Sequence, residues 1–137
     1  MYEGLIEFIE TTIFTLINQI TGQEENGRAQ ALNTASVLLD FAEQNAGMTK
    51  VLIGDALVNE DERLQVRMNQ FVERVELALR QAWKLAATQG AIPDSESVAR
   101  AGMMMAFVIG RWHRFAKSGF QQRPAEGAML MLSLLAA

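Results

Sequence analysis

The stretch AGMMMAFVI (residues 101–109) is apolar on every side of the helix that it would form. A helix that is apolar on all faces is buried on all faces. The chain has 137 residues, which is the length of one domain. One face of this helix can pack on the core of that domain, and the other face needs a partner. Small residues, Gly102, Ala106 and Gly110, recur along one stripe and would allow close helix approach. Residues 128–137 are similarly apolar.

These two segments predict a homodimer whose interface is a four-helix bundle, with two helices from each copy. The alternative is a monomer in which the helix around residues 101–109 lies deeply buried at the centre of the domain. The predicted interface consists of Gly102, Met103, Ala106, Phe107, Gly110, Arg111, Arg114, Met129 and Leu132.

Outside these segments, apolar residues recur at the three- and four-residue spacing of amphipathic helices. Asn59 is a candidate N-cap for the longest helix, because acidic residues follow it in the first turn. The predicted helices cover about residues 2–21, 28–44, 48–58, 59–89 and 94–119, and a last one follows Pro124 and extends to residue 137. The fold class is therefore all-α.

Composition excludes several classes of function. The chain has no cysteine and one histidine, which excludes disulfides, thiol catalysis and a two-histidine metal site. No apolar run has the length of a membrane span, and a net charge of −4 argues against nucleic-acid binding by this chain alone. No catalytic group of residues stands out. We expect a cytoplasmic binding or regulatory module with no enzymatic activity, cofactor, metal or membrane contact.

A basic patch, Arg111, Arg114, Lys117 and Arg123, surrounds the single histidine, His113. It could hold a phosphate or an acidic partner. Helix-end charges explain most of it, because cations are favourable at a helix C-terminus.

Two other surfaces could bind a ligand. Apolar and polar residues of the first two helices could flank a slot for a peptide, which is a common recognition mode, although the same residues could be ordinary core. A pocket for a small molecule could instead lie among the second, fourth and fifth helices. Its candidate lining residues are Met68, Trp83, Met104 and Phe107.

Several long polar patterns resemble one known family. They are GDAL (54–57), EDERLQVRMNQFVERVE (60–76), LIEFIE (5–10), EQNAGMTK (43–50), and RFAKSGF (114–120) with the Arg-Pro pair at 123–124. Together they are similar to the nucleoid occlusion factors of the TetR family. The resemblance implies that residues 1–137 are a TetR-like C-terminal regulatory and dimerisation domain, which dimerises through its last two long helices.

The resemblance also implies a partner. In the family, a DNA-bound dimer binds the C-terminal tail of the tubulin-like division protein FtsZ and antagonises division-ring assembly over the chromosome. The tail lies in the groove between the first two helices of the domain. The corresponding residues here are Phe8, Thr12, Leu16, Val37, Asp40, Phe41, Gln44 and Asn45. A small-molecule-sensing domain of a TetR-family transcriptional regulator is the alternative.

The sequence departs from the family pattern in the groove and at its start. Leu16 and Gln44 stand where the family has arginine, and Asp40 stands where it has glycine. We expect these changes to weaken attraction for a partly acidic tail. The family's helix-turn-helix head has no counterpart in these residues, so we expect DNA binding, and association with the nucleoid, only through such a head in a full-length protein.

Overall fold

The computed structural model describes residues 2–137, which contain six α-helices and no strand. Short 3₁₀ turns lie on either side of α3 and immediately before α5. The helices are α1 (Tyr2–Gln23), α2 (Gly27–Gln44), α3 (Thr49–Leu52), α4 (Glu62–Thr88), α5 (Ser97–Lys117) and α6 (Ala128–Ala136). The core lies where α2, α4 and α5 pack together. The all-α prediction is confirmed.

The first helix has one buried face because its isoleucines recur every three or four residues. Ile6, Ile9 and Ile13 are fully buried. A two-pronged ion pair ties α1 to α4: Arg67 Nη2 donates to Glu10 Oε1 at 2.7 Å, and Arg67 Nε donates to Glu10 Oε2 at 3.2 Å. This pair fixes how α1 lies against α4.

The turn between α1 and α2 is fixed at both ends. Asn26 caps α2, since its side chain accepts from the Ala29 backbone N–H at 3.0 Å. Gln89, beyond the end of α4, accepts from the Gly27 N–H at 2.8 Å and donates to the Glu25 carbonyl at 2.7 Å. The turn is so short that α1 and α2 form an antiparallel hairpin.

The prediction of one helix over residues 48–58 is wrong. The chain instead forms a 3₁₀ turn at Ala46–Met48, the single turn of α3, and a second 3₁₀ turn at Asp55–Leu57. Gly54 has a φ of +84°, a conformation that glycine adopts without steric cost. A helix cannot continue through it.

The start of α4 also differs from the prediction. The N-cap is Asp61, not Asn59: Asp61 Oδ1 accepts from the Arg63 N–H at 2.9 Å. The Arg63 guanidinium also binds this carboxylate at 2.7 Å. These hydrogen bonds lower the pKa of Asp61 from 3.8 to about 2.

The last two helices form an antiparallel pair. Near the start of α5, Arg100 donates to the carbonyl of Ala136, at the end of α6, at 3.1 Å. Near the end of α5, Arg111 donates to the Pro124 carbonyl before α6 at 3.0 Å. The opposite face of α5 is anchored in the core, where the Trp112 indole N–H donates to the Leu38 carbonyl of α2 at 3.0 Å.

Candidate functional site

All eight residues of the predicted peptide groove lie around one open cleft. Its volume is about 270 Å³, and we call it the α1–α2 groove. Its lining residues are Phe8, Thr12 and Leu16 from α1, Val37, Asp40, Phe41 and Gln44 from α2, and Asn45 at the end of α2. Because the two helices run side by side, residues distant in sequence meet along their seam.

The floor of the groove is aromatic. Phe41 is nearly fully buried, whereas Phe8 keeps 45% of its surface exposed. The two ring centroids are 6.2 Å apart, and the rings are tilted by 37°. Phe41 therefore belongs to the core, as the alternative interpretation of these residues expected, while Phe8 presents an aromatic face to solvent. An exposed aromatic ring on a packed base is typical of a contact residue.

The polar rim of the groove has one charged member, Asp40. Asp40 and Gln44 are exposed on α2, one helical turn apart. Asn45 has a structural task, because its side-chain amide donates to the Phe41 carbonyl at 2.9 Å and ends α2. The groove thus offers an apolar floor, an amide rim and one negative charge to a ligand.

The predicted dimer interface lies mostly on exposed surface. Met103 is 50% exposed and Met129 is 62% exposed, and Ala106 and Gly110 are also exposed on α5. Gly102, Phe107 and Arg111 are partly buried, and Arg114 is exposed. No atom lies within 4 Å of the position that a Cβ would take at Gly102 or Gly110. This side of α5 is therefore only partly covered within the described chain, and it is open at Gly102 and Gly110.

Leu132, which the sequence analysis placed in the interface, is fully buried in its own protomer. It shares the inner face of α6 with Ala128 and Ala136, which lie one turn away on either side. Leu130 and Leu134, which the predicted interface did not include, are 69% and 70% exposed on the opposite face. Every position of α6 is apolar except Ser133, so periodicity could not distinguish its two faces.

The predicted residues of the alternative small-molecule pocket do not line a common cleft. Trp83 and Met104 are fully buried in the core, and Phe107 packs against it. Met68 lines only an open cleft between α4 and the turn around Gly54. The candidate residues therefore fill the core instead of lining a shared cavity.

The basic patch assembles at the end of α5. Lys117 Nζ contacts Asp55 at 2.5 Å, and this hydrogen bond is the main cause that lowers the pKa of Asp55. Arg111 donates to three carbonyls of the turn before α6, those of Arg123, Pro124 and Glu126. His113 is exposed, so it is not a core residue of the protomer.

Within residues 2–137, no three His, Cys, Asp or Glu side chains come together as a metal site. No helix in the same part of the chain has the length and apolar character needed to cross a membrane.

Comparison with known proteins gives a consistent family. The model of the SlmA-like C-terminal domain, described as tetracyclin repressor-like, matches residues 28–136. The nucleoid occlusion factor SlmA of Alteromonas mediterranea is 39% identical over 92% of this chain and 65% of that protein. The same factor of Marinobacter nauticus is 41% identical over 90% of this chain and 64% of that protein.

A third relative covers the whole chain. The nucleoid occlusion factor SlmA of Aliivibrio fischeri is 38% identical over 100% of this chain and 70% of that protein. The chain thus spans about two thirds of the length of its curated relatives. The match includes the helices that build the α1–α2 groove and the paired α5 and α6. The chain belongs to the SlmA-like family of tetracycline-repressor-like C-terminal domains.

Proposed function

We propose that this domain is the dimerisation and partner-binding part of a nucleoid occlusion factor, and that the α1–α2 groove binds the C-terminal tail of FtsZ. Holding that tail would hinder assembly of the division ring near the chromosome. The DNA contact and the nucleoid localisation that such a role requires are not assigned to any residue of this chain.

One observation carries the proposal: eight residues singled out by the family resemblance converge on a single cleft. The cleft has features that suit a short peptide. An exposed Phe8 ring on the Phe41 base offers apolar contact, and Gln44 provides amide groups for backbone recognition. The α1 wall is tied to α4 by the Glu10–Arg67 pair, and Phe41 anchors the α2 wall in the core, so little ordering of the protein opposes binding.

The homodimer is the second part of the proposal. An exposed apolar surface runs along α5 and α6 and includes Met103, Met129, Leu130 and Leu134. Several large apolar side chains exposed on neighbouring helices are typical of a protein contact site. Two copies related by a two-fold axis would bury it as a four-helix bundle.

A titration with the FtsZ C-terminal tail peptide tests the groove. The labelled peptide is added to the domain and fluorescence anisotropy is followed. We expect saturable binding that weakens about tenfold in Phe8→Ala, since the truncation removes the exposed aromatic contact. The matched control is Phe120→Ala, an equally drastic truncation of a partly exposed ring on the turn after α5, and it should bind as the unmodified chain does.

A second test of the groove changes its charge. Asp40 is the only charged residue of its lining, so Asp40→Asn should tighten binding of a partly acidic tail by a few-fold at low salt. Absence of binding at millimolar peptide, with the circular dichroism of a folded helical domain, would refute the assignment of the groove.

The rival function, a small-molecule sensor, has weaker support. Its candidate pocket residues Trp83 and Met104 pack in the core, and ligand sites of this kind are usually concave cavities with room for a ligand.

A further inference from the structure

The basic patch at the end of α5 is not used by the proposed peptide groove, although Arg111 and Arg114 also belong to the predicted dimer interface. From Ser97 to Ala125 the chain has no Asp or Glu, although the whole chain has a net charge of −4. The last turns of α5 and the turn that follows contribute Arg111, Arg114, Lys117 and Arg123. Such a concentration of one sign in an acidic chain raises the local concentration of anions.

Three of these cations surround one cleft of about 280 Å³. Arg111, Arg114 and Arg123 line it together with Gln121, Gln122, Glu126 and Met131. Its volume is near the lower end of ligand pockets, roughly 300 Å³. Glu126 is the single carboxylate in the lining, so the guanidinium groups outnumber it.

The cations of the cleft are incompletely neutralised by the protein. Among residues 2–137, Arg111 and Arg114 have no carboxylate within ion-pair distance. Arg123 Nε reaches Glu43 only at 4.0 Å. Arg114 uses Nε to donate to Gln122 Oε1 at 2.9 Å, and its two terminal nitrogens have no hydrogen-bond partner within the described residues.

The cleft is also ordered before any ligand arrives. Arg111 holds its guanidinium against three carbonyls of the turn before α6. On the other side, Ser118 Oγ accepts from the backbone N–H groups of Gln121 and Gln122, at 3.3 and 2.9 Å. These bonds fix the turn that carries Gln122 and Arg123, so binding costs little ordering.

We propose that this cleft binds a phosphate group of a small anionic ligand. Arg111 contributes charge, because its guanidinium is already bound to carbonyls. The terminal amino groups of Arg114 and Arg123 supply the donors, and they offer more N–H groups than the two oxygens of one carboxylate can accept. A phosphate group offers at least three acceptor oxygens and up to two negative charges, and guanidinium groups match its geometry with paired hydrogen bonds. The site is separate from the α1–α2 groove and does not depend on peptide binding there.

Calorimetric titration of the intact chain with pyrophosphate at fixed ionic strength tests the proposal. We expect saturable binding, one pyrophosphate per chain, that weakens about tenfold in Arg114→Gln and in Arg123→Gln, each of which removes one charged donor set. Arg111 is left intact because it holds the turn. Arg123 lies outside the predicted dimer interface, so its variant separates anion binding from dimerisation. The control is Arg63→Gln, an exposed arginine at the start of α4, which should bind pyrophosphate as the unmodified chain does.

Four results would overturn the proposal. The first is no binding at millimolar pyrophosphate. The second is equal weakening in the Arg63 control, which would mean diffuse attraction only. The third is succinate binding as tightly as pyrophosphate, which would assign the cleft to carboxylates. The fourth is an Arg114-dependent affinity for a short DNA duplex without affinity for pyrophosphate, which would make the patch a nucleic-acid contact.

Discussion

Gly27, the first residue of α2, lies against the backbone of α4. A Cβ added there would stand 2.6 Å from the Ala82 carbonyl oxygen and 2.8 Å from the Ala86 Cα, where ordinary contact begins at 3.4 Å. The Ala86 backbone N lies closer still, so in Gly27→Ala the two helix backbones would have to separate by about 1 Å. Overpacking of this kind costs about 1–3 kcal/mol of stability. The higher helix propensity of alanine offsets less than about 1 kcal/mol of this loss. We therefore expect a net loss of about 2 kcal/mol.

Urea unfolding followed by circular dichroism at 222 nm measures this loss, with all proteins at one concentration because a dimer's stability depends on concentration. The control is Gly4→Ala in α1, where no atom lies within 4 Å of the new Cβ. That substitution should stabilise the domain by about 0.5–1 kcal/mol. A Gly27→Ala protein as stable as the unmodified chain would show that α2 and α4 do not approach as closely as described.

Three further predictions concern the core, a carboxylate and the dimer. Trp112→Phe removes the indole N–H that donates to the Leu38 carbonyl of α2 and should cost about 1 kcal/mol more than Trp83→Phe, because the Trp83 indole N–H has no partner among the described residues. Equal losses in urea unfolding would contradict this. Asp61 should titrate with a pKa of about 2 by NMR, and this pKa should return towards 3.8 in Arg63→Gln. Because the folded-state pKa is lowered, the contribution of Asp61 to stability is present above pH 3.8 and is lost as the pH falls through about 2. An unchanged pKa in the variant would contradict the pairing. Leu134→Glu, at a side chain 70% exposed in the protomer, should give a folded monomer by light scattering, and an unchanged dimer would place the interface elsewhere.

Helical periodicity was sufficient to predict most of the fold. The isoleucines of α1 recur on one face, and that face is buried. The groove residues could be selected because a family resemblance pointed to them, whereas spacing alone did not distinguish Phe8 from Phe41. Only packing shows that the first is half exposed and the second is core.

Other features depend on contacts that no local pattern contains. The turn at Gly54 breaks a segment with helical periodicity, and its left-handed φ is a property of the folded chain. Gln89 binds the turn before α2 from more than sixty residues away. Leu132 could not be assigned to the inner face of α6 because its neighbours along the helix are almost all apolar.

The most direct test of the central claim is to map where the FtsZ tail binds. Unlabelled tail peptide is titrated into the ¹⁵N-labelled domain, and amide shifts are followed by two-dimensional NMR. We predict that the largest shifts occur along the groove, at Phe8, Thr12, Asp40 and Gln44, while the turn around Arg123 is unaffected. Shifts concentrated on α5 and α6, or no shifts at saturating peptide, would contradict the account.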